Sequence, residues 1–189
     1  QPAQAIKRVS DQDIERLIDA SKDSRNELIG CAIILAVETG PRRSELLSLE
    51  WDDVDTSEGL ISLPQTKSGY LRQILVTRRA MAVMSALRAR NDASEGRLLP
   101  MTANALRLGF QRLTKSAGLE HIRFHDLRHE AVSRLFDKGL TPPEVASVSG
   151  HRTLSQLMRY SHAELNAVSD KIKKADEAQS LQLGPMRLE

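Results

Sequence analysis

Residues 51–76, WDDVDTSEGLISLPQTKSGYLRQILV, are where the character of the chain changes. Val54, then Leu60, Ile61 and Leu63, then Leu71, Ile74 and Val76 form short apolar runs. They are separated by two turn clusters, Thr56-Ser57-Glu58-Gly59 and Lys67-Ser68-Gly69. Short runs bounded by such clusters read as strands joined by turns, so this stretch is expected to be a three-stranded antiparallel meander. The sequence on either side has helical spacing instead.

Ahead of the meander, Ser10-Asp11-Gln12-Asp13 is a capping-box-like start to a helix whose apolar stripe is Ile14, Leu17 and Ile18. A second helix is expected over 25–39, stopped by Gly40-Pro41, and a short third begins near Arg42 and carries Leu46, Leu47 and Leu49. After the meander, helices are expected over 78–91, over 103–117 closed by Gly118, and over 125–138 ended by Gly139. Thr141-Pro142-Pro143 then supplies an N-cap and first-turn prolines for a helix running out at Gly150, and 153–160 and 164–178 are the last two. No internal repeat or low-complexity linker divides the chain. The expected fold is mainly α with a small three-stranded antiparallel sheet, one domain over 1–183, with 184–189 set apart as a tail or cloning remnant.

Composition narrows the function classes. With 189 residues, 40% hydrophobic and 28% charged, the chain is long enough to bury a core without disulfide staples. Its longest apolar run, 29–37, falls well short of the roughly 20 residues that cross a bilayer and reads as a core helix, so no membrane partner is expected. The one cysteine, Cys31, lies inside that run and is expected to be a buried, inert thiol suited to a reducing cytosol. A net charge of +2 permits a nucleic-acid partner without demanding one. Aromatics at 3% leave too few rings to stack exposed bases, so any nucleic acid is expected to be gripped by its phosphates. The sequence opens at Gln1 with no charged segment leading into an apolar one, which fits an excised piece of a cytoplasmic protein better than a secretory precursor.

All five histidines, His121, His125, His129, His151 and His162, fall between positions 121 and 162, together with Arg123, Arg128, Arg152 and Arg159. His121, His125 and His129 are spaced to line one helical face, as a metal site would need. Interleaved Arg123 and Arg128, and a helix that starts only near His125, argue against a structural zinc. The other reading is a phosphate site: His125 and Arg128 are three apart near a helix N-terminus, where the dipole favours an anion. His151 and Tyr160 are nine residues apart, which in a continuous helix puts them on opposite faces about 13.5 Å apart along the axis. They converge only if the helix breaks, and Gly150 and Thr153 provide the break.

These residues carry a resemblance. Thr39-Gly40-Pro41-Arg42-Arg43-Ser44-Glu45-Leu46-Leu47-Ser48-Leu49 with Trp51-Asp52-Asp53-Val54 resembles the first box of the tyrosine recombinases, the phage-integrase family. His125-Asp126-Leu127-Arg128-His129 and Gly150-His151 followed by Arg159-Tyr160 resemble the second. The boxes fall in family order over roughly 9–178. The resemblance implies a DNA breaking-rejoining fold, a duplex-DNA substrate, a tetramer on DNA with possible accessory DNA-bending proteins, and no cofactor or metal. It also implies roles: Arg42 and Arg128 grip the scissile phosphate, Tyr160 is the nucleophile, and His125 bonds a non-bridging oxygen or assists proton removal from Tyr160. His151 bonds the other side, Lys67 protonates the departing 5′ oxygen, and Glu45 braces the site. Two departures stand out: Ser149 occupies a position that is usually Leu, and the N-terminal core-binding domain that completes the DNA clamp is absent from these residues.

The chemistry suits those residue types. Charge develops on the non-bridging oxygens of a phosphodiester under attack, and guanidinium forks answer it with paired hydrogen bonds while keeping their charge. A phenol of pKa about 10 needs basic neighbours to react at pH 7. The phosphotyrosine ester conserves the bond energy, so religation needs neither ATP nor metal. Several of these residues also have plainer readings. Lys67 also reads as a solvated turn lysine, Glu45 as a surface partner of Arg42, and Tyr70 as a hairpin residue. A non-catalytic helix-turn-helix module around 144–156 would contact bases through Arg152, Ser155 and Gln156, but leaves Arg42, Lys67 and the His125 to Arg128 pair unexplained; a catalytically silent member of the same family is the other alternative. In the last helix, Leu165, Val168, Ile172 and Ala175 form an apolar stripe that docks either on a neighbouring subunit or back on its own domain.

Overall fold

A computed structural model describes residues 8–63, 72–90, 96–158, 160, 172, 173 and 176. Three helices come first: α1 (Asp11–Lys22), α2 (Leu28–Thr39) and α3 (Arg43–Ser48). A single 3-10 turn, Trp51–Asp53, leads into β1 (Val54–Asp55), β2 (Leu60–Leu63) and β3 (Arg72–Leu75). Five helices follow: α4 (Arg78–Arg88), α5 (Ala103–Ser116), α6 (Phe124–Asp137), α7 (Pro142–Ser149) and α8 (Leu154–Met158). The strands pair antiparallel in the order β1-β2-β3, with Val54 opposite Ile61 and Ile61 opposite Ile74. The expected meander and mainly helical class are what the chain adopts.

α2 is the centre of the domain because it is apolar on every side. Ile29, Ala32, Ile33, Leu35, Ala36 and Val37 are all buried, and the helix packs against α1, α4 and α6. Ser10 caps α1 by accepting the Asp13 N–H at 3.1 Å. Ile61 and Ile74 face this core from the sheet, while Leu75, one residue on, is 72% exposed, as the alternation of a strand requires. A second, smaller cluster of Val132, Val145, Leu157 and Tyr160 lies between α6, α7 and α8.

Several boundaries differ from expectation. α2 begins at Leu28 rather than 25 because Asn26 Oδ1 accepts the Leu28 N–H at 3.0 Å and turns the chain there. α3 excludes Leu49, and α4 stops at Arg88 rather than 91. α8 ends at Met158, and Tyr160 follows in a turn whose N–H donates to Leu157 O at 2.9 Å. Of the expected last helix, Leu165, Val168 and Ala175 lie outside the described residues, and Ile172 is 56% exposed.

Candidate functional site

The site is organised around the C-terminal end of α7. Gly150 closes that helix at φ 70° and leaves the last carbonyls without partners inside the helix. Such carbonyls carry partial negative charge, and guanidinium groups are well suited to them. Three arrive. Arg42, the N-cap residue of α3, donates from Nη2 to Gly150 O at 3.0 Å. Arg128, one turn into α6, donates from Nη2 to Ser149 O and from Nη1 to Gly40 O, both at 2.6 Å. Arg72, the first residue of β3, donates from Nη1 to the same Ser149 O at 2.9 Å.

Glu45 is the one carboxylate bonded to this group of arginines among the described residues. Its Oε2 accepts the backbone N–H of Arg42 at 2.6 Å and Arg72 Nη2 at 2.8 Å, and its Oε1 takes Arg42 Nη1 at 2.7 Å. Burial pushes the Glu45 carboxyl up, but the Arg42 N–H and the Arg72 charge outweigh it and hold the carboxyl below the usual range. Three guanidiniums against one carboxylate leave a positive excess. Arg128, 4% exposed, is drawn down to about 10 by burial and by Arg42, and it stays charged at neutral pH.

The histidines and the tyrosine lie on the same side. His151 follows Gly150 immediately in the non-helical stretch 151–153, Tyr160 lies in a turn after α8, and the two ring centroids are 5.8 Å apart, so the chain does not run as the continuous helix that would separate them. Burial, then Arg128 and Arg42, lower the His151 pKa to about 4, so its imidazole is neutral. The Ser149 hydroxyl donates its proton to Val145 O at 2.6 Å. His151 Nδ1, 2.7 Å from Ser149 Oγ, is therefore the donor in that contact, and the neutral ring carries its lone pair on Nε2. His125, at the exposed start of α6, is also lowered by burial and Arg128. Its ring meets His129 edge-on at 4.5 Å. His129 Nδ1 is 2.5 Å from Tyr160 Oη.

Arg42, Glu45, Arg128, His151 and Tyr160 are thus brought together from four separated stretches, with His125 beside them. Lys67 and Tyr70 lie outside the described residues. α6 begins at Phe124, so His121 precedes it and the three-histidine helical face does not form. Two members of the cluster, Arg72 and His129, are not singled out for a phosphate site by the sequence. Arg72 had a signal: it shares strand parity with buried Ile74, and a charge on the inward face of a strand requires a partner. Beside the arginines, a cleft of about 660 Å³ runs between α3, α5 and the start of α6, and Arg43, Arg107, Arg123, His125 and Arg128 line it. Among the described residues, Glu120 is the single acidic residue in that lining.

A mainly helical domain with a small three-stranded antiparallel sheet is the fold shared with solved integrases. The catalytic domain of bacteriophage HP1 integrase superposes with a TM-score of 0.71 at 23% identity, over 89% of this chain and 94% of that one. The integrase of the Tn1549 transposon, solved in complex with circular intermediate DNA, gives 0.75 at 20% identity, over 93% of this chain and 69% of that one. The chain belongs to the phage integrase family, whose pattern matches residues 7–166. A shufflon-specific DNA recombinase of Escherichia coli is 34% identical over 149 residues, covering 78% of this chain and 38% of that protein. The chain spans about half or less of the length of such curated relatives. Among the described residues, no helix is long and apolar enough to cross a membrane.

Proposed function

We propose that this chain is the catalytic domain of a site-specific DNA recombinase that cuts and rejoins duplex DNA through a 3′-phosphotyrosine intermediate. The observation that carries the reading is the attachment of Arg42 and Arg128 to the adjacent carbonyls of Gly150 and Ser149, next to His151 and Tyr160. Two guanidiniums with further N–H donors converge there, and they match the non-bridging oxygens of one phosphodiester.

In this mechanism the two arginines hold the scissile phosphate, and Glu45 braces Arg42. Tyr160 Oη attacks phosphorus as the bond to the 5′ oxygen breaks, and Lys67 supplies the proton that oxygen needs. His125 and His151 lie against the phosphate and the nucleophile, with His151 Nε2 offering a lone pair. Reversal with a second 5′ hydroxyl rejoins the strand, and the ester's conserved energy makes ATP and metal unnecessary. The basic cleft along α5 carries the neighbouring DNA backbone, and residues 1–183 act as one catalytic domain. On DNA the protein works as a tetramer, aided by DNA-bending proteins.

The test uses a pool of duplexes of randomised sequence, each carrying a nick, so that cleavage just upstream of the nick releases a short piece that is lost. A strand labelled at its 5′ end should become covalently attached to protein with chelator present. A strand labelled at its 3′ end should not. Attachment of the opposite polarity, or dependence on added metal, contradicts the reading.

A further inference from the structure

Attack by Tyr160 requires an acceptor for its proton, a role that the family resemblance offers to His125. The geometry points to His129: we propose that its Nδ1 accepts the Tyr160 O–H, fixes the direction of the nucleophile, and takes the proton as Oη attacks. This rests on the recombinase reading above.

Three features support it. First, Tyr160 Oη and His129 Nδ1 are 2.5 Å apart, within the reach that proton transfer needs. Second, the Tyr160 ring is held by packing. The residue is 3% exposed, its ring stacks on Phe136 with centroids 6.4 Å apart, and Val132, Val145 and Leu157 surround it. Third, the other two imidazoles are differently engaged. His151 holds Ser149 Oγ through Nδ1, and His125 presents its ring to His129, 4.5 Å away. His129 is thereby packed between the exposed His125 and the buried tyrosine, four residues from the first and one from Arg128.

The step balances simply. The Oη–P bond forms, the P–O5′ bond breaks, the tyrosine proton moves to His129 Nδ1, and the leaving oxygen takes its proton from Lys67 or water. On religation His129 returns the proton. Among the described residues, the charged and titratable groups near the pair include His125 and Arg128 on its own helix and His151 after α7, with Arg42 and Arg72 facing His151. Glu130 is engaged with Arg8 and Arg134.

The experiment compares wild type with His129→Asn, whose Oδ1 can accept the hydroxyl hydrogen bond but cannot hold the proton. The rate of adduct formation on the nicked duplex pool is followed from pH 5.5 to 9, with DNA affinity measured alongside. H129N should bind DNA as wild type does, form adduct about 10²-fold or more slowly, and lose the rise in rate through the imidazole range. Independently, the ¹⁵N shift of His129 Nδ1 in free protein should move in Tyr160→Phe. A wild-type rate and pH profile in H129N, or an unmoved shift, overturns the role of His129 alone. Absence of any adduct in wild type overturns the recombinase reading and this one with it.

Discussion

Arg72 and Glu45, 27 positions apart, form a 2.8 Å ion pair whose side chains are only 13% and 9% exposed. The pair joins the last strand of the sheet to the N-terminus of α3, and Arg42 and Ser149 are fastened to the same two side chains. Removing one partner leaves the other charge buried without compensation, which typically costs about 3–5 kcal/mol. Glu45→Ala should therefore destabilise the domain by roughly that amount in urea unfolding. It should also slow adduct formation by releasing Arg42. A loss below about 1 kcal/mol would show that the pair is solvated and holds nothing in place.

Gly150 has two reasons to be glycine. Its φ is 70°, and a Cβ there would overlap the guanidinium of Arg72. Gly139 has a comparable φ of 86° with nothing within 4 Å of where a Cβ would stand, so it isolates the backbone contribution. Gly139→Ala should cost about 1 kcal/mol. Gly150→Ala should cost clearly more and should lower activity, because Arg72 must leave Ser149 O. Equal losses in melting temperature for the two variants would contradict the packing argument.

Arg42→Lys and Arg128→Lys retain the charge and lose the fork. A lysine cannot bond Glu45 and Gly150 O together as Arg42 does, nor bridge Gly40 O and Ser149 O as Arg128 does. Each variant should bind duplex DNA at low salt within a few fold of wild type and cleave roughly 10²–10³ times more slowly. Cleavage at the wild-type rate would remove that arginine from the phosphate site.

Stability should fall on mild acidification. His151 at about 4, and His125 below its ordinary 6.5, take up protons more readily in the unfolded chain than in the folded one. Their contribution is complete above pH 6.5 and declines as pH drops toward 4. Glu45 and Glu130, held below the usual carboxylate value of 4.5, add a decline only below that pH. The melting temperature should drop between pH 6.5 and 5, and His151→Gln should flatten the drop. A constant wild-type melting temperature over that range would contradict the electrostatics of the site.

What could be read in the sequence was mostly local. Gly40 and Gly150 ended helices because their positive φ is encoded by the residue itself, and Ser10 and Thr141 capped the helices that follow them. The spacing of His125 and Arg128, and the need for a break before Tyr160, follow from helix geometry alone. The contacts that complete the site are long-range. Arg72 reaches Ser149 across 77 positions and His129 reaches Tyr160 across 31, so no window of sequence displays either. The position of Tyr160 belongs with these, since its ring packs in the cluster of Val132, Val145 and Leu157. Lys67 has sequence support only.

The most direct measurement is the identity of the residue that carries the DNA. The adduct formed on the nicked duplexes, digested with nuclease and protease and read by mass spectrometry, should place the nucleotide remnant on the peptide containing Tyr160. Tyr160→Phe should bind DNA and form no adduct. A remnant on Tyr70 or on any other residue, or an adduct that persists in Tyr160→Phe, would contradict the account.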